Sequence, residues 1–188
     1  MAITLDGTTG ITSPTITTTS TIVAGTTVAD ATAVIRPLVS GTSVTASGTS
    51  VNFTSIPSWV KRITVMFDGV STNGTSNILV RLGTSGGIIT TGYVSGSSTS
   101  SGTNTTATDG LFAVNSVAAA ENYTGNIVIY NITGTTWVSA NHCANMTTGN
   151  TRIGGGSIDI AGALTQLSIT TASGTQVFDA GTINILYE

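Results

Sequence analysis

Apolar and polar residues alternate in short runs along most of the chain after residue 45, which is the period of a half-buried β-strand. Thr, Val and Ile are abundant in these runs, and their β-branched side chains fit a pleated sheet better than a helix. Good helix formers are scarce, with two Glu and one Lys in the whole chain. The alternating apolar sets are Ile63/Val65/Phe67, Ile78/Val80/Leu82, Ile158/Ile160, Leu167/Ile169 and Ile183/Ile185/Tyr187.

Residues that favour turns lie between these runs. Short strands separated by turns over about 140 residues are typical of an all-β sandwich. We therefore predict an antiparallel jelly-roll-like β-sandwich over residues 45–188. The predicted turns are Asp68-Gly69, Asn73-Gly74, Ser85-Gly86-Gly87, Asp109-Gly110, Gly154-Gly155-Gly156, Ala172-Ser173-Gly174 and Ala180-Gly181.

Residues 1–44 differ from the rest and are predicted to form an extended N-terminal arm. They contain thirteen Thr, three charged residues and no aromatic residue. A single strand of this composition buries too little surface to offset an ordering cost of roughly 1–2 kcal/mol per residue. We therefore expect the arm to serve in attachment or in trimerisation, bundled with copies of itself. Its apolar residues assigned to attachment are Ile3, Leu5, Ile11, Ile16 and Ile22.

Composition excludes several classes of function. Charged residues make up 7% of the chain, against about 25% in ordinary domains, and the net charge is -3. Five Lys and Arg are too few for a protein that binds nucleic acid by neutralising phosphates. No apolar run approaches the roughly 18 residues of a spanning helix, so membrane insertion is not expected. The single cysteine, Cys143, excludes an intrachain disulfide.

Candidate catalytic and metal-binding residues do not form a recognisable site in the sequence. His142-Cys143 is the one cluster of soft metal ligands, and a zinc site needs three or four ligands. The carboxylates that could supply an acid/base pair are Asp68, Asp109, Asp159 and Asp179. Most of them adjoin predicted turns, where carboxylates cap backbone amides. We therefore expect no enzymatic activity, no metal and no cofactor.

One segment has the literal form of a catalytic motif. Residues 83–87, Gly-Thr-Ser-Gly-Gly, match the spacing of a nucleophile elbow, but such an elbow leads from a strand into a helix. Ile88 and Ile89 follow, which indicates a second strand and a hairpin turn.

Aromatic residues are the first candidates for contacts with a ligand. Trp59 and Trp137 are predicted to pack in the core or at an interface, because a Trp buries a large area. Tyr93 and Tyr123 border polar segments and combine an apolar ring with a hydroxyl group, which suits contact with a sugar. A structural role for each tyrosine is the alternative hypothesis.

The segment Ser95–Asp109 is the longest polar stretch, and it consists almost entirely of Ser, Thr, Gly and Asn. It is predicted to be a mobile loop at one end of the sandwich. One interpretation is a solvated loop without a function, and the other is a receptor-contact tip. In the second case Ser97, Asn104 and Thr108 join the tyrosines as contact residues.

Four segments resemble proteins of tailed-bacteriophage tail fibres and tail tips. Residues 3–14 (ITLDGTTGITSP) are similar to the opening of many such proteins. Residues 56–83 (IPSWVKRITVMFDGVSTNGTSNILVRLG) and 91–97 (TGYVSGS) resemble a β-rich C-terminal domain that recurs in them, and residues 178–188 (FDAGTINILYE) resemble its last strand. The chain differs from long fibres because it has no extended repeat shaft.

The resemblance implies a homotrimeric virion appendage, made in the bacterial cytoplasm, whose head contacts a glycan or protein of the bacterial surface. The arm would then hold it to other virion proteins. The alternative is a capsid decoration protein or head fibre, in which the arm contacts neighbouring capsid subunits and no receptor is bound. The sequence does not separate these two roles.

Overall fold

A computed structural model describes residues 37–119 and 121–188, which fold into two antiparallel β-sheets. The predicted β-sandwich is confirmed, and no residue of this part of the chain lies in a helix. No helix long and apolar enough to cross a membrane occurs there either. Residues 1–36 and Ala120 lie outside the described part.

The strands occur in the following order: β1 Val39–Ser40, β2 Val44–Thr45, β3 Ser50–Phe53, β4 Arg62–Thr72, β5 Ile78–Thr84, β6 Gly87–Ile88, β7 Val94–Thr99, β8 Asn104–Ala107, β9 Leu111–Val114, β10 Tyr123–Thr133, β11 Thr136–Asn145, β12 Thr151–Asp159, β13 Gln166–Thr171 and β14 Phe178–Tyr187. The nine-stranded sheet has the order β1-β14-β4-β10-β11-β12-β7-β8, and β2 also pairs with β14. The five-stranded sheet has the order β3-β13-β5-β6, and β9 also pairs with β5.

The predicted alternation decides which residues enter the core. Ile63, Val65 and Phe67 of β4 are buried, while Thr64 and Met66 between them are partly exposed. The apolar residues of the other predicted sets are also buried, except that Tyr187 is only partly buried. On β5 and β13 the burial does not alternate, because Leu79 and Ser168 between the predicted residues are buried as well. Each fully buried Ile, Val or Leu contributes about 1.5–3 kcal/mol through removal of apolar surface from water.

The aromatic residues complete this core, as predicted for the two tryptophans. Trp137 on β11 is buried. Trp59 lies in the turn before β4, where it packs against the core and its ring centroid is 6.1 Å from that of Tyr187. The predicted hairpin at residues 83–87 is confirmed, because Gly83 pairs with Ile88 and Thr84 with Gly87.

The boundary of the compact part lies earlier in the chain than predicted. Val39–Ser40 pairs with Leu186–Tyr187, and Val44–Thr45 pairs with Ile183 and Thr182. Residues 39–45 therefore belong to the nine-stranded sheet rather than to an arm that ends at residue 44. The predicted attachment residues Ile3, Leu5, Ile11, Ile16 and Ile22 lie outside the described residues.

Three predicted turns lie within strands instead. Asp68-Gly69 interrupts β4, where two residues stand opposite one residue of β10, and Gly69 has a φ of 61°. Ala180-Gly181 forms a similar irregularity in β14. Both dipeptides are bulges that bend a strand without ending it. Gly154-Gly155-Gly156 lies in the middle of β12 and pairs regularly on both sides.

The predicted mobile loop at Ser95–Asp109 is also wrong. Residues Val94–Thr99 and Asn104–Ala107 form the hairpin of β7 and β8 at one edge of the nine-stranded sheet. Hydroxyl-bearing residues occupy both sides of β7, so hydropathy alone shows no alternation. The burial alternates nevertheless, because Ser95, Ser97 and Thr99 are buried and Gly96 and Ser98 are not.

Two inward-facing glycines of β12 lie where neighbouring strands leave no room for a side chain. A Cβ atom on Gly154 would lie 2.3 Å from the Gly96 carbonyl oxygen and 2.7 Å from Asn141 Oδ1. A Cβ on Gly156 would lie 3.0 Å from Leu111 of β9. The inward side of β12 is therefore filled by its neighbours, and no side chain fits there.

This packing predicts that Gly154→Ala destabilises the protein by about 2–4 kcal/mol, because the new methyl group meets backbone that cannot move freely. Gly96→Ala is the matched control: the nearest atom to its Cβ is 3.9 Å away, and we expect a change within about 0.5 kcal/mol. Urea unfolding of both variants measures the difference. Equal stability of the two variants would contradict the close packing.

Candidate functional site

The outward side of the nine-stranded sheet carries three transverse rows of residues, which we call the outer face. The strand register brings each row together from neighbouring strands, one residue per strand. The rows are Met66–Asn126–His142–Ile153–Ser98–Asn104, Thr64–Val128–Ala140–Gly155–Gly96–Thr106 and Arg62–Tyr130–Val138–Ser157–Val94.

A shallow groove of about 630 Å³ lies at the end of the outer face formed by β7, β8 and β12. Gly96 lines it without a side chain, opposite Thr106 of β8 and two residues from Ser98 on β7. The lining residues are Gly96, Ser97, Ser98, Asn104, Thr105, Thr106, Ile153 and Gly154.

The groove offers uncharged hydrogen-bonding groups beside one apolar side chain. Ser98 and Thr106 provide hydroxyl groups, and Asn104 provides an amide with donors and an acceptor. Ile153 is 56% exposed, which is unusual for an isoleucine within a central strand. This combination suits a neutral ligand with both hydroxyl groups and apolar faces.

The two tyrosines predicted to contact a ligand are buried, and this prediction is wrong. Tyr93 is 1% exposed, and its hydroxyl group accepts a hydrogen bond from the Leu82 N–H (2.8 Å) and donates one to the Ile89 carbonyl (3.0 Å). Tyr123 is fully buried, and its hydroxyl group donates to Glu121 Oε2 at 2.7 Å. Both rings are structural, which was the alternative hypothesis.

The other predicted contact residues are distributed over two sides of the sheet. Asn104 and Thr108 are exposed, and Asn104 lines the groove. The Ser97 side chain points inward, with Oγ 3.1 Å from Asn115 Oδ1 and from the Ile153 carbonyl, and only its backbone can border the groove. Successive side chains of a strand point to opposite faces of the sheet. Ser97 therefore points inward, and Ser98 presents its hydroxyl group on the outer face.

A buried polar layer lies behind the groove and fixes its floor. The Ser95 hydroxyl accepts a hydrogen bond from the Phe112 N–H (3.0 Å), and Asn141 Nδ2 donates to the Ala113 carbonyl (3.1 Å). The Arg152 guanidinium donates to the carbonyl groups of Asn115, Asn150 and Ser116. Arg152 also lies over the Tyr123 ring, 5.1 Å from its centroid, so its buried charge is stabilised by carbonyl dipoles and an aromatic face.

The four candidate carboxylates do not form an acid/base pair in the part of the chain that the structure describes. Three of them bind an arginine, a hydroxyl group or a backbone N–H, and the fourth is exposed. Asp109 forms an ion pair with Arg81 at 2.7 Å, rather than capping a turn amide. Asp159 accepts from Thr135 and the Ala161 N–H, which lower the pKa of its carboxyl group. Asp179 accepts from the Ser71 hydroxyl, and Asp68 is exposed on β4.

His142 and Cys143 are adjacent on β11 and point to opposite sides. His142 is exposed on the outer face, while Cys143 is buried, and burial raises the pKa of its thiol to about 12. In residues 37–119 and 121–188, no group of three or more His, Cys, Asp or Glu is placed to hold a metal ion.

Sequence reasoning did not single out Ile153, whereas Ser98 and Thr106 lie within the predicted contact segment Ser95–Asp109. Ile153 directly precedes Gly154-Gly155-Gly156, which is predicted to be a turn. A usable signal was the isolated Ile between an Arg and three glycines, because glycines in a strand often mark a close approach of another backbone.

Comparisons with protein-family models, with curated proteins and with solved structures gave no match to this chain.

Because of the two buried tyrosines, the free energy of unfolding of the protein is expected to depend on pH in the alkaline range. Burial raises the pKa of both Tyr93 and Tyr123 to about 12, and the hydrogen bond to Glu121 raises that of Tyr123 further toward this value. Their pKa values in the unfolded chain are about 10. We therefore expect stability from these groups to be fully present below pH 10 and to be lost as the pH rises toward 12.

Ultraviolet absorbance of phenolate measures this titration in the folded protein. We expect Tyr93→Phe and Tyr123→Phe each to remove one phenol from the phase near pH 12. Tyr93→Phe also leaves the Leu82 N–H without this acceptor, at a cost of about 1–3 kcal/mol. A folded protein whose absorbance near pH 12 is the same in all three forms would contradict the assignment.

Proposed function

We propose that this protein is a non-enzymatic structural protein of a bacteriophage virion, a tail-fibre-like homotrimer whose β-sandwich head contacts the host surface. The observation that carries the contact role is the groove, with its neutral hydrogen-bonding groups and its exposed Ile153. The phage assignment is supported by the resemblance of residues 3–14, 56–83, 91–97 and 178–188 to tail-fibre and tail-tip proteins.

The chemistry of the groove favours a neutral partner. None of its lining residues is charged, so attraction to an anionic polysaccharide contributes little to binding there. Ser98, Asn104 and Thr106 can hydrogen-bond to sugar hydroxyl groups or to peptide groups, while Ile153 packs against an apolar sugar or protein face. A bacterial surface glycan or protein of this kind is the partner that fits.

Each groove alone would bind weakly because it is open and shallow. A trimer presents three grooves, and simultaneous binding raises the overall affinity where receptor sites lie within their span. Several weak contacts that bind together suit an appendage that first binds a cell reversibly and then attaches firmly.

Substitution in the groove tests this function. We expect Ile153→Ser together with Asn104→Ala to reduce adsorption of the pure protein to host cells at least tenfold, or about 1.4 kcal/mol. Asn52→Ala on the five-stranded sheet is the matched control, because Asn52 is also an exposed strand residue. Folded groove variants that adsorb as well as the control would place recognition elsewhere.

Imaging of intact virions with a labelled copy tests the location. Label on the tail is the expected result for the fibre. Label distributed over the head would instead favour the capsid decoration role, and absence from the virion would contradict both roles.

A further inference from the structure

Asn73 is the one asparagine of the chain that is followed by glycine. It is exposed and lies in the turn between β4 and β5, where the chain passes from one sheet to the other. The Asn73 N–H donates to the Val177 carbonyl (3.0 Å), and Asn73 Oδ1 accepts from the Val177 N–H (3.0 Å). The amide carbonyl of this side chain is therefore held beside a hydrogen-bond donor.

The backbone nitrogen of Gly74 is available to react with that side chain. Among the described residues, the Gly74 N–H donates to no acceptor. Glycine has no Cβ atom, so no side chain of residue 74 hinders the approach of its nitrogen to Asn73 Cγ. Because the two atoms belong to neighbouring residues, their reaction is intramolecular, and it closes a five-membered ring.

We propose that Asn73 is a site of spontaneous deamidation. Hydroxide takes the proton of the Gly74 nitrogen, which attacks Asn73 Cγ and forms a new C–N bond. The bond from Cγ to the side-chain nitrogen breaks, and this nitrogen takes a proton from water and leaves as ammonia. The resulting succinimide ring is opened by a second water molecule at either carbonyl carbon, which leaves aspartate or isoaspartate at position 73.

The fold assists the first step of this reaction. Negative charge develops on Asn73 Oδ1 when the Gly74 nitrogen attacks. The Val177 N–H already donates to this oxygen, and a donor in that position stabilises the developing charge, as in an oxyanion hole. Hydroxide and water reach the turn because Asn73 is exposed. The protein therefore supplies the nucleophile and the oxyanion donor, and solvent supplies the other reagents.

No other asparagine of the chain combines exposure with a following glycine. Asn115 precedes a serine, but it is fully buried, with Nδ2 donating to the Ser97 carbonyl (3.2 Å) and Oδ1 accepting from Ser97 Oγ (3.1 Å). Asn104 is exposed, but it precedes Thr105, whose branched Cβ crowds the attacking nitrogen. Asn115 and Asn104 are therefore internal controls within the same protein.

The two products differ in their effect on the junction between the sheets. Aspartate keeps an oxygen for the Val177 N–H and adds one negative charge to a chain whose net charge is -3. Isoaspartate carries the backbone through Cγ and lengthens it by one methylene group directly before Gly74, whose carbonyl accepts from Thr72 Oγ1 (3.1 Å). The Ser76 N–H in the same turn donates to Gln176 Oε1 (2.7 Å). We therefore expect isoaspartate, and not aspartate, to weaken these contacts.

Mass spectrometry of the folded full chain during storage tests the site. We expect the peptide that contains residue 73 to gain one mass unit at least about tenfold faster than the peptides that contain Asn104 or Asn115. The rate should rise from neutral to mildly alkaline pH, because hydroxide takes the proton of the attacking nitrogen. A folded chain that stays unchanged at residue 73 while the urea-unfolded chain deamidates there would overturn the proposal.

Two substitutions separate the chemistry from its structural effect. Asn73→Gln should abolish the mass gain on the same time scale, because glutamine must close a six-membered ring. Asn73→Asp provides the added charge without the longer backbone, and it should unfold at the same urea concentration as the parent. The isoaspartate fraction, separated by ion exchange, should unfold at a lower concentration.

Equal mass gain in the parent and in Asn73→Gln would overturn the assignment of the site. An isoaspartate fraction as stable as Asn73→Asp would overturn the inferred weakening of the junction. Neither measurement depends on the groove or on the phage role.

Discussion

Strand β9 has a hydrogen-bonded neighbour, β5, along one edge, and its backbone must find other partners on the side that faces the nine-stranded sheet. Buried backbone groups without partners cost about 1–3 kcal/mol each. Ser95 accepts from the Phe112 N–H, Asn141 donates to the Ala113 carbonyl, and Arg152 donates to the Asn115 and Ser116 carbonyls. The interior is therefore polar at this end of the sandwich because β9, an edge strand of the five-stranded sheet, lies against the nine-stranded sheet and needs side-chain partners for its backbone.

The same contact shapes the surface on the other side of that sheet. Close approach of β9 and β7 leaves no room for side chains at Gly154 and Gly156, and the strand between them continues as glycine at Gly155. Gly96 faces outward and lines the groove without a side chain. The inner polar layer and the outer groove therefore lie on opposite sides of the same strands.

Low charge also affects the outer face of the nine-stranded sheet. A surface with few charges suits a neutral partner better than a charged one. In our proposal the groove at β7 and β8 binds an external ligand through shape, an apolar side chain and uncharged hydrogen bonds.

The sequence by itself determined the fold class and much of the core. Apolar residues at a period of two, as in Ile63, Val65 and Phe67, are buried on one side of the strand, as the alternation predicts. Trp137 and the hairpin at residues 83–87 followed from the same local rules, side-chain area and turn chemistry.

Only the tertiary structure decided which polar residues face inward. Ser, Thr and Gly have similar hydropathy, so the sequence of β7 does not distinguish the buried Ser97 from the outward Ser98. Glycine occurs in turns, in bulges and at close contacts, so the three glycines at 154–156 do not by themselves indicate which of these they form. Their pairing with β7 and β11 makes them part of a strand. Tyr93 and Tyr123 border polar segments, but their rings are buried in the packed structure. The Tyr93 hydroxyl group pairs with the Leu82 N–H of β5, and that of Tyr123 pairs with Glu121 and the Ala118 N–H nearby in the chain.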